Sequence, residues 1–489
     1  MRKTIEKQMQ IGEVAIEDVE IDLSSRDEIP KILIGLQNLY KNREIREQVF
    51  KALEEIILKD MNNGRPGMLL WRILVLGVLR LSCNWDYDKL QDIANNHKTL
   101  RQLLGHPTHS DYQYALQTLK DNISLFTPDL LDSINQIVVN FGHEIIGKKP
   151  GDELRGSCDS SVVETNTHYP TDINLLWDAM RKTILIIMAL CDELGLTGWR
   201  KGIFNLKKVK KLFNHAQRLK KSRSKDENKQ KEKEQAIVKA HKVYIKFCKS
   251  IIDRVDEIIQ SISTTDIILM VKLDEIKGYI KHARRQIDQI ERRVVEGEKI
   301  PHHEKVFSIF EEFTRMIKKG KAGVPQQFGL PVCFVKDQYG FILHHYVMEK
   351  EIDQDVAVPI VKEVKNRFPD FNSCSFDKGF HTPYNQEELK KIIDNVILPR
   401  KGKLSAINKE IENSDDFKEA RRKHAAVESS ISALQNHGLD RCPDRGLEGF
   451  KRYVALGVLA RNIQILGHTI QQREYKRLQK KKKLQRLAA

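Results

Sequence analysis

The chain has 489 residues, with 83 Lys and Arg against 67 Asp and Glu, which is length for about two to four domains and excludes a small disulfide-stapled scaffold. Seven scattered cysteines without a C-x-x-C pair point to a reduced compartment and away from a structural zinc. The stretch MRKTIEKQMQIGEV has no apolar signal-like core and no apolar run approaches the ~20 residues of a membrane span, so the expectation is a cytoplasmic protein with no membrane partner.

The positive excess is local. Residues 200–233 hold 14 basic and 3 acidic residues, and 471–489 hold 8 basic and 1 acidic, so two segments carry what a polyanion would meet. Solvated helix faces are the plainer reading of such runs.

In chain order, the first 150 residues read as helices. GRPGMLLWRILVLGVLRLS (64–82) is apolar nearly all round, as in a helix buried in a small domain. DYDKLQDIANNHKTLRQLLGH (86–106) is two short amphipathic segments broken at Asn95-Asn96, which suits a helix-turn-helix or a plain helical bundle. Thr127-Pro128 supplies an N-cap and a first-turn proline for DLLDSINQIVVNF.

Beyond Gly151 the period changes, and a strand is expected over 155–163. A helical block spans about 175–295, ending in two long amphipathic stretches joined at residues 263–266, an expected antiparallel hairpin. KVFSIF (305–310) reads as a strand, and 330–349 as a hairpin turning at Asp337 to Gly340. A helix over 353–368 precedes the strand NSCSFDKGF, then VILPRKGK as another strand. The helix HAAVESSISALQNHG follows, with Gly438 as its C-cap, and GFKRYVALGVLARNIQILGHTI is one more helix before the basic tail. Without the helical block, the order strand, hairpin, helix, strand, strand, helix describes an α/β domain with a mixed sheet.

Asp159 lies in the first of these strands, Asp377 at the exit of the strand after the crossover helix, and Glu428 on a later helix. Three carboxylates from separate elements can hold two divalent cations about 3.5–4 Å apart for phosphodiester chemistry, and oxygen-only ligands suit Mg²⁺. His424, four residues before Glu428, shares its helix face, while Val427, Ile431 and Leu434 form the apolar stripe. With 67 acidic residues many triples exist, and Glu164, Asp172, Asp337 and Asp355 compete.

The motifs CDSSVVETNTHYPTDINLLWD, VFSIFEEFTRMIKKGKA, FDKGF, LPRKGK, and HAAVESSISALQNHGLDRC with GLEGFKRYVALGVLARNIQILG resemble the DDE transposases of bacterial insertion sequences, especially the ISNCY-type group. The resemblance covers most of the chain, GRPGMLLWRILVLGVLRL included. It implies an RNase H-like catalytic domain (151–172 and 301–470) interrupted by a helical insertion (173–300). A helical DNA-binding domain (1–150) would precede it and a basic tail (471–489) follow it. It further implies Asp159, Asp377 and Glu428 as catalytic metal ligands for Mg²⁺ or Mn²⁺, with His424 auxiliary. The partners would be double-stranded DNA, both terminal inverted repeats and target, bound by a homo-oligomer in a prokaryotic cytoplasm. Related groups often carry Arg one turn before the Glu and Lys two turns after it; here those positions are His424 and Gln435, so phosphate grip is either weaker there or supplied by Lys378, Arg400 or Lys401. A nuclease that does not join DNA, and an inactive DNA-binding repressor, are the alternatives.

Overall fold

The computed structural model describes residues 2–6, 8–59, 67–220, 226–318 and 325–488. The start of the apolar 64–82 segment, part of the 200–233 basic segment and the end of VFSIFEEFTRMIKKGKA lie outside them. The fold is mixed α/β, and the chain divides into two compact units, Met1–Asn166 with Ile317–Ala489, and Thr167–Met316. Among the described residues no helix is long and apolar enough to cross a membrane.

The first unit is built around a helix that has no polar face. Leu70–Ser82 buries all but one of its residues, and the exception, Arg72, donates to the carbonyls of Leu104 and Gly105. Tyr87–Asn96 and Lys98–Leu103 follow, parted at His97, whose Nδ1 caps the second by accepting from Leu100 N (3.2 Å). The helix Pro128–Ile146 is bounded as its sequence dictates. Thr127 Oγ1 accepts from Leu130 N (3.3 Å), and Gly147 closes the other end at φ +87°.

Seven strands form one mixed sheet: β1 (Leu154–Thr165), β2 (Arg315–Lys318), β3 (Gln326–Asp337), β4 (Ile342–Val347), β5 (Phe371–Phe376), β6 (Asn395–Ile397) and β7 (Arg441–Cys442). Their order is β2-β3-β1-β5-β6, with β4 also on β3 and β7 also on β1. β3 is antiparallel to β1, while β5 and β7 run parallel to it. The β3–β4 turn is built by Asp337: its Oδ1 accepts from Tyr339 N and Phe341 N (2.9 Å each), and Gly340 takes φ +96°. KVFSIF is not a strand. Ser308 Oγ accepts from Phe310 N (3.2 Å) and Glu311 N (2.9 Å), which offers the backbone a local alternative to a ladder, and pairing begins only at Arg315.

The second unit packs helices Asp172–Glu193, Gly202–Arg218, Glu227–Ser261 and Ile267–Ile290 around Leu176, Ile184, Tyr244, Cys248, Ile276 and Ile280. The expected hairpin exists, held by Lys249 to Glu291 (2.8 Å) and by Arg284 to Asp256, but Ile267–Ile290 packs chiefly along Asp172–Glu193.

The last helix runs unbroken from Leu447 to Ala488, so the basic tail is its continuation. It crosses Glu28–Lys41 at glycines. A Cβ on Gly467 would lie 1.8 Å from Lys31 O and 2.9 Å from Gly35 N, a backbone collision that no rotamer relieves. Gly467→Ala is therefore expected to lower the unfolding free energy in urea by about 1–3 kcal/mol. Gly278, inside Ile267–Ile290, meets nothing within 4 Å, and Gly278→Ala is expected to raise it by about 0.5–1 kcal/mol.

Candidate active site

The register of two parallel strands brings Asp159 and Asp377 together. β1 pairs with β5 from Leu154–Phe371 to Cys158–Phe376, so each aspartate directly follows the last paired residue of its strand. Neighbouring strands lie about 4.7–4.9 Å apart, which makes the two residues side-by-side neighbours where β5 ends. Side chains alternate along β1. Ser157 and Asp159 share one face; Ser157 Oγ is bonded to Ser375 Oγ (2.9 Å), which assigns Ser375, and with it Asp377, to that same face. Asp159 is half-buried and Oδ1 accepts from Ser160 N (2.7 Å); Asp377 is exposed and opens the short turn Lys378–Phe380.

The helix Ala426–Leu434 lies over this face, tied to it by polar contacts. Lys336 of β3, paired with Ser157, donates from Nζ to Ala426 O (2.7 Å) and Ser430 Oγ (3.1 Å). Gln435 Nε2 donates to Ser161 Oγ on β1 (3.0 Å). Val427, Ile431 and Leu434 are buried as the apolar stripe requires, and Glu428 is exposed. Gln435, expected from the motif resemblance to leave a phosphate-gripping cation missing, is thus a tether between helix and central strand. Gly438, the expected C-cap, leaves the helical region at φ +105°.

His424 closes the preceding helix, Asp415–His424, and the chain stays right-handed through Ala425 (φ −55°, ψ −20°). Its Nδ1 shares a 3.0 Å hydrogen bond with Ser375 Oγ, which extends the serine row of the sheet into the helical layer. Burial lowers the His424 pKa from its ordinary value, the charges of Asp377 and Glu428 oppose that shift, and Lys336 and Arg421 add to it. Around the site stand exposed Lys378, Arg421, Arg422 and Lys423, while Lys401 donates to Gly379 O (2.8 Å) and Arg400 N to Glu412 Oε1 (2.9 Å).

The competing carboxylates all have structural partners. Glu164 pairs with Arg441 (3.2 Å), Asp172 with Arg293 (2.6 Å) and Asp337 with His143 (2.6 Å), while Asp355 accepts from Ile352 N (3.0 Å). A carboxylate not anticipated is Asp353. A Cβ built on Gly379 would lie 3.1 Å from Asp353 Oδ2 and 3.9 Å from Asp377 Oδ2, so the two acids flank one glycine; the only signal was an acidic first turn of a helix.

Asp159, Asp377 and Glu428 offer oxygen donors alone, the chemistry of a hard cation, but their ligand atoms are not gathered within 4.8 Å of one another. Among the described residues that condition is met by Asp132, His344 and His345, residues that the sequence did not single out. In the second unit, Gly202–Arg218 buries Val209, Phe213 and Ala216 and exposes Lys207, Lys210, Lys211 and Arg218, a basic stripe on one helix face. No protein-family model, curated protein or solved structure matches the chain.

Lys336→Met removes both donors to the Glu428 helix. Amides 426–434 are expected to exchange faster, by roughly the 1.5–3 kcal/mol of charge-assisted hydrogen bonds, with β5 amides unchanged; hydrogen-exchange mass spectrometry reads both. Because the His424 pKa is lowered from 6.5 in the folded chain, its contribution to stability is present above pH 6.5 and falls as the unfolded state takes up a proton below it. His424→Gln is expected to flatten that acid-side loss relative to wild type in urea titrations between pH 7 and 5.

Proposed function

We propose that the chain is a DDE-type DNA transposase whose RNase H-like catalytic domain cleaves the ends of an insertion sequence and transfers them to target DNA. The observation that carries this reading is the Cys158–Phe376 register, which sets Asp159, midway along β1, beside Asp377 at the end of the neighbouring parallel strand β5, beneath the helix that bears Glu428. Sites in open α/β sheets gather at such strand ends. The central position of β1 in a mixed sheet supports the fold, and the motif resemblance supports the chemistry.

Asp159, Asp377 and Glu428 would hold Mg²⁺ or Mn²⁺, and a bound ion pair supplies activation of the attacking oxygen and stabilisation of the leaving oxygen of a phosphodiester. The chain's own residues do the positioning. Lys336 and Gln435 fix the Glu428 helix on the sheet. His424 holds Ser375 and, kept neutral by burial, adds no positive charge to compete for the carboxylates. Lys378 and the Arg421–Lys423 run meet phosphates beside the site, and the 202–218 stripe and the last helix add affinity without sequence preference. Because two DNA ends must be joined, the working form is a homo-oligomer.

The test uses a labelled duplex from the DNA flanking the chain's own coding sequence, with Mg²⁺. Wild type is expected to nick it and leave a 3′-hydroxyl, and to join a precut end to a second duplex. Asp377→Asn is expected to lose more than about a hundredfold in rate, since even the partners of metal ligands are worth 10–100-fold, while binding the duplex as before. Nicking without joining assigns a nuclease; binding by wild type without cleavage at any Mg²⁺ or Mn²⁺ concentration assigns a repressor.

A further inference from the structure

Asp132 lies on the Pro128–Ile146 helix, and His344 and His345 are consecutive residues of β4. Asp132 Oδ1 is 3.6 Å from His344 Nδ1 and 4.0 Å from His345 Nδ1, and one ligand atom from each of the three residues lies within 4.8 Å of the other two. The side chains are 15, 13 and 9 % exposed. Each of the three atoms is fully buried and has no hydrogen-bond partner.

Those separations are wrong for an imidazole donating to a carboxylate, which closes to about 2.7–3.0 Å. They are near those of ligands sharing an ion: atoms each about 2.0–2.2 Å from a tetrahedral cation stand roughly 3.3–3.6 Å apart. Leaving three buried polar atoms unpaired costs about 1–3 kcal/mol apiece, and one cation satisfies all three. Adjacent strand residues ordinarily point to opposite faces, but β4 carries an irregularity here: Val335 pairs with His344 and Lys336 with Ile342, leaving Leu343 extra. Such a bulge twists a strand and re-aims its side chains. Arg367 bonds Asp132 Oδ2 and is itself paired with Glu363 (2.7 Å), which turns Oδ1 toward the imidazoles as an outer partner of a ligand does.

We propose that Asp132, His344 and His345 bind a divalent first-row cation, Zn²⁺ by its donor set, which fastens the Pro128–Ile146 helix to β4. Two imidazoles and one carboxylate are borderline donors that favour Zn²⁺ over Mg²⁺, with water in the fourth position. Zinc takes each imidazole in its neutral form, so binding is expected to weaken as pH falls. The cysteine pattern carried no trace of this site because no thiolate takes part.

The full-length chain, purified without a polyhistidine tag and stripped with EDTA, is titrated with Zn²⁺ by calorimetry and its Tm followed. One equivalent is expected to bind and raise Tm, with Mg²⁺ giving no such rise. His344→Ala/His345→Ala is expected to lose that equivalent, and Asp159→Asn/Asp377→Asn to keep it. If the histidine variant fails to fold, the Tm of stripped wild type with and without Zn²⁺ decides alone. A stripped wild type whose Tm ignores Zn²⁺, or zinc binding that survives loss of both histidines, overturns the proposal and leaves an Asp132–Arg367 ion pair.

Discussion

The parallel ladder between β1 and β5 stops at Cys158–Phe376, yet β1 runs on to Thr165, and the organisation of the site depends on that mismatch. Past Asp159 the β5 side of β1 has no strand beside it until β7 pairs at Glu164. The opening falls in the middle of the central strand, where the other side is still fully paired to β3. Rigid backbone and open access thus meet at one residue. The opposite face of the same strand buries Cys158, against Cys333, and Val162, so the strand is core on one side and site on the other.

Polar side chains on a covered sheet face need partners, and that need locates the Glu428 helix. Ser157, Ser161, Ser375 and Lys336 are largely withdrawn from water. Ser157 is bonded to Ser375, and the partners of Ser375, Ser161 and Lys336 are His424, Gln435, Ser430 and the Ala426 carbonyl, all supplied by one stretch of chain. Apolar packing through Val427, Ile431 and Leu434 holds the helix down; the hydrogen bonds fix where along the sheet it stands. Such contacts discriminate between registers more than they add stability, because each replaces a bond to water.

What was legible in the sequence was local. Thr127-Pro128, the Asp337–Gly340 turn and the 2- and 3.6-residue periods each act within a few residues, and they marked the helices, most strands and the α/β order. KVFSIF failed because one serine hydroxyl captured two backbone amides, which a β-branched and aromatic run does not reveal. Asp159, Asp377 and Glu428 could be named by resemblance, but the neighbouring placement of Asp159 and Asp377 depends on a strand register that pairs residues more than 200 apart. Gln435 was read as a missing cation and is a hydrogen-bonded tether. Asp132 and the two histidines went unseen because helix and strand meet only in the folded chain.

The last helix contains 42 residues, roughly 63 Å at 1.5 Å per residue. Its first half is buried through Val454, Leu459, Ile463 and Ile470, and its anchorage ends near Gln471, which donates to Leu23 O (3.0 Å) and Ser25 O (3.1 Å). An isolated basic peptide of the remaining length would be marginally helical in water, because nucleation is the unfavourable step. Here the packed half supplies the nucleus, and the projecting half only has to propagate. Its described cations, from Arg473 to Lys481, are carried on a preformed rod, so a polyanion that engages them does not first have to order a disordered chain. Disrupting the helix at its point of emergence, with every charge retained, would transfer that ordering cost to the binding step.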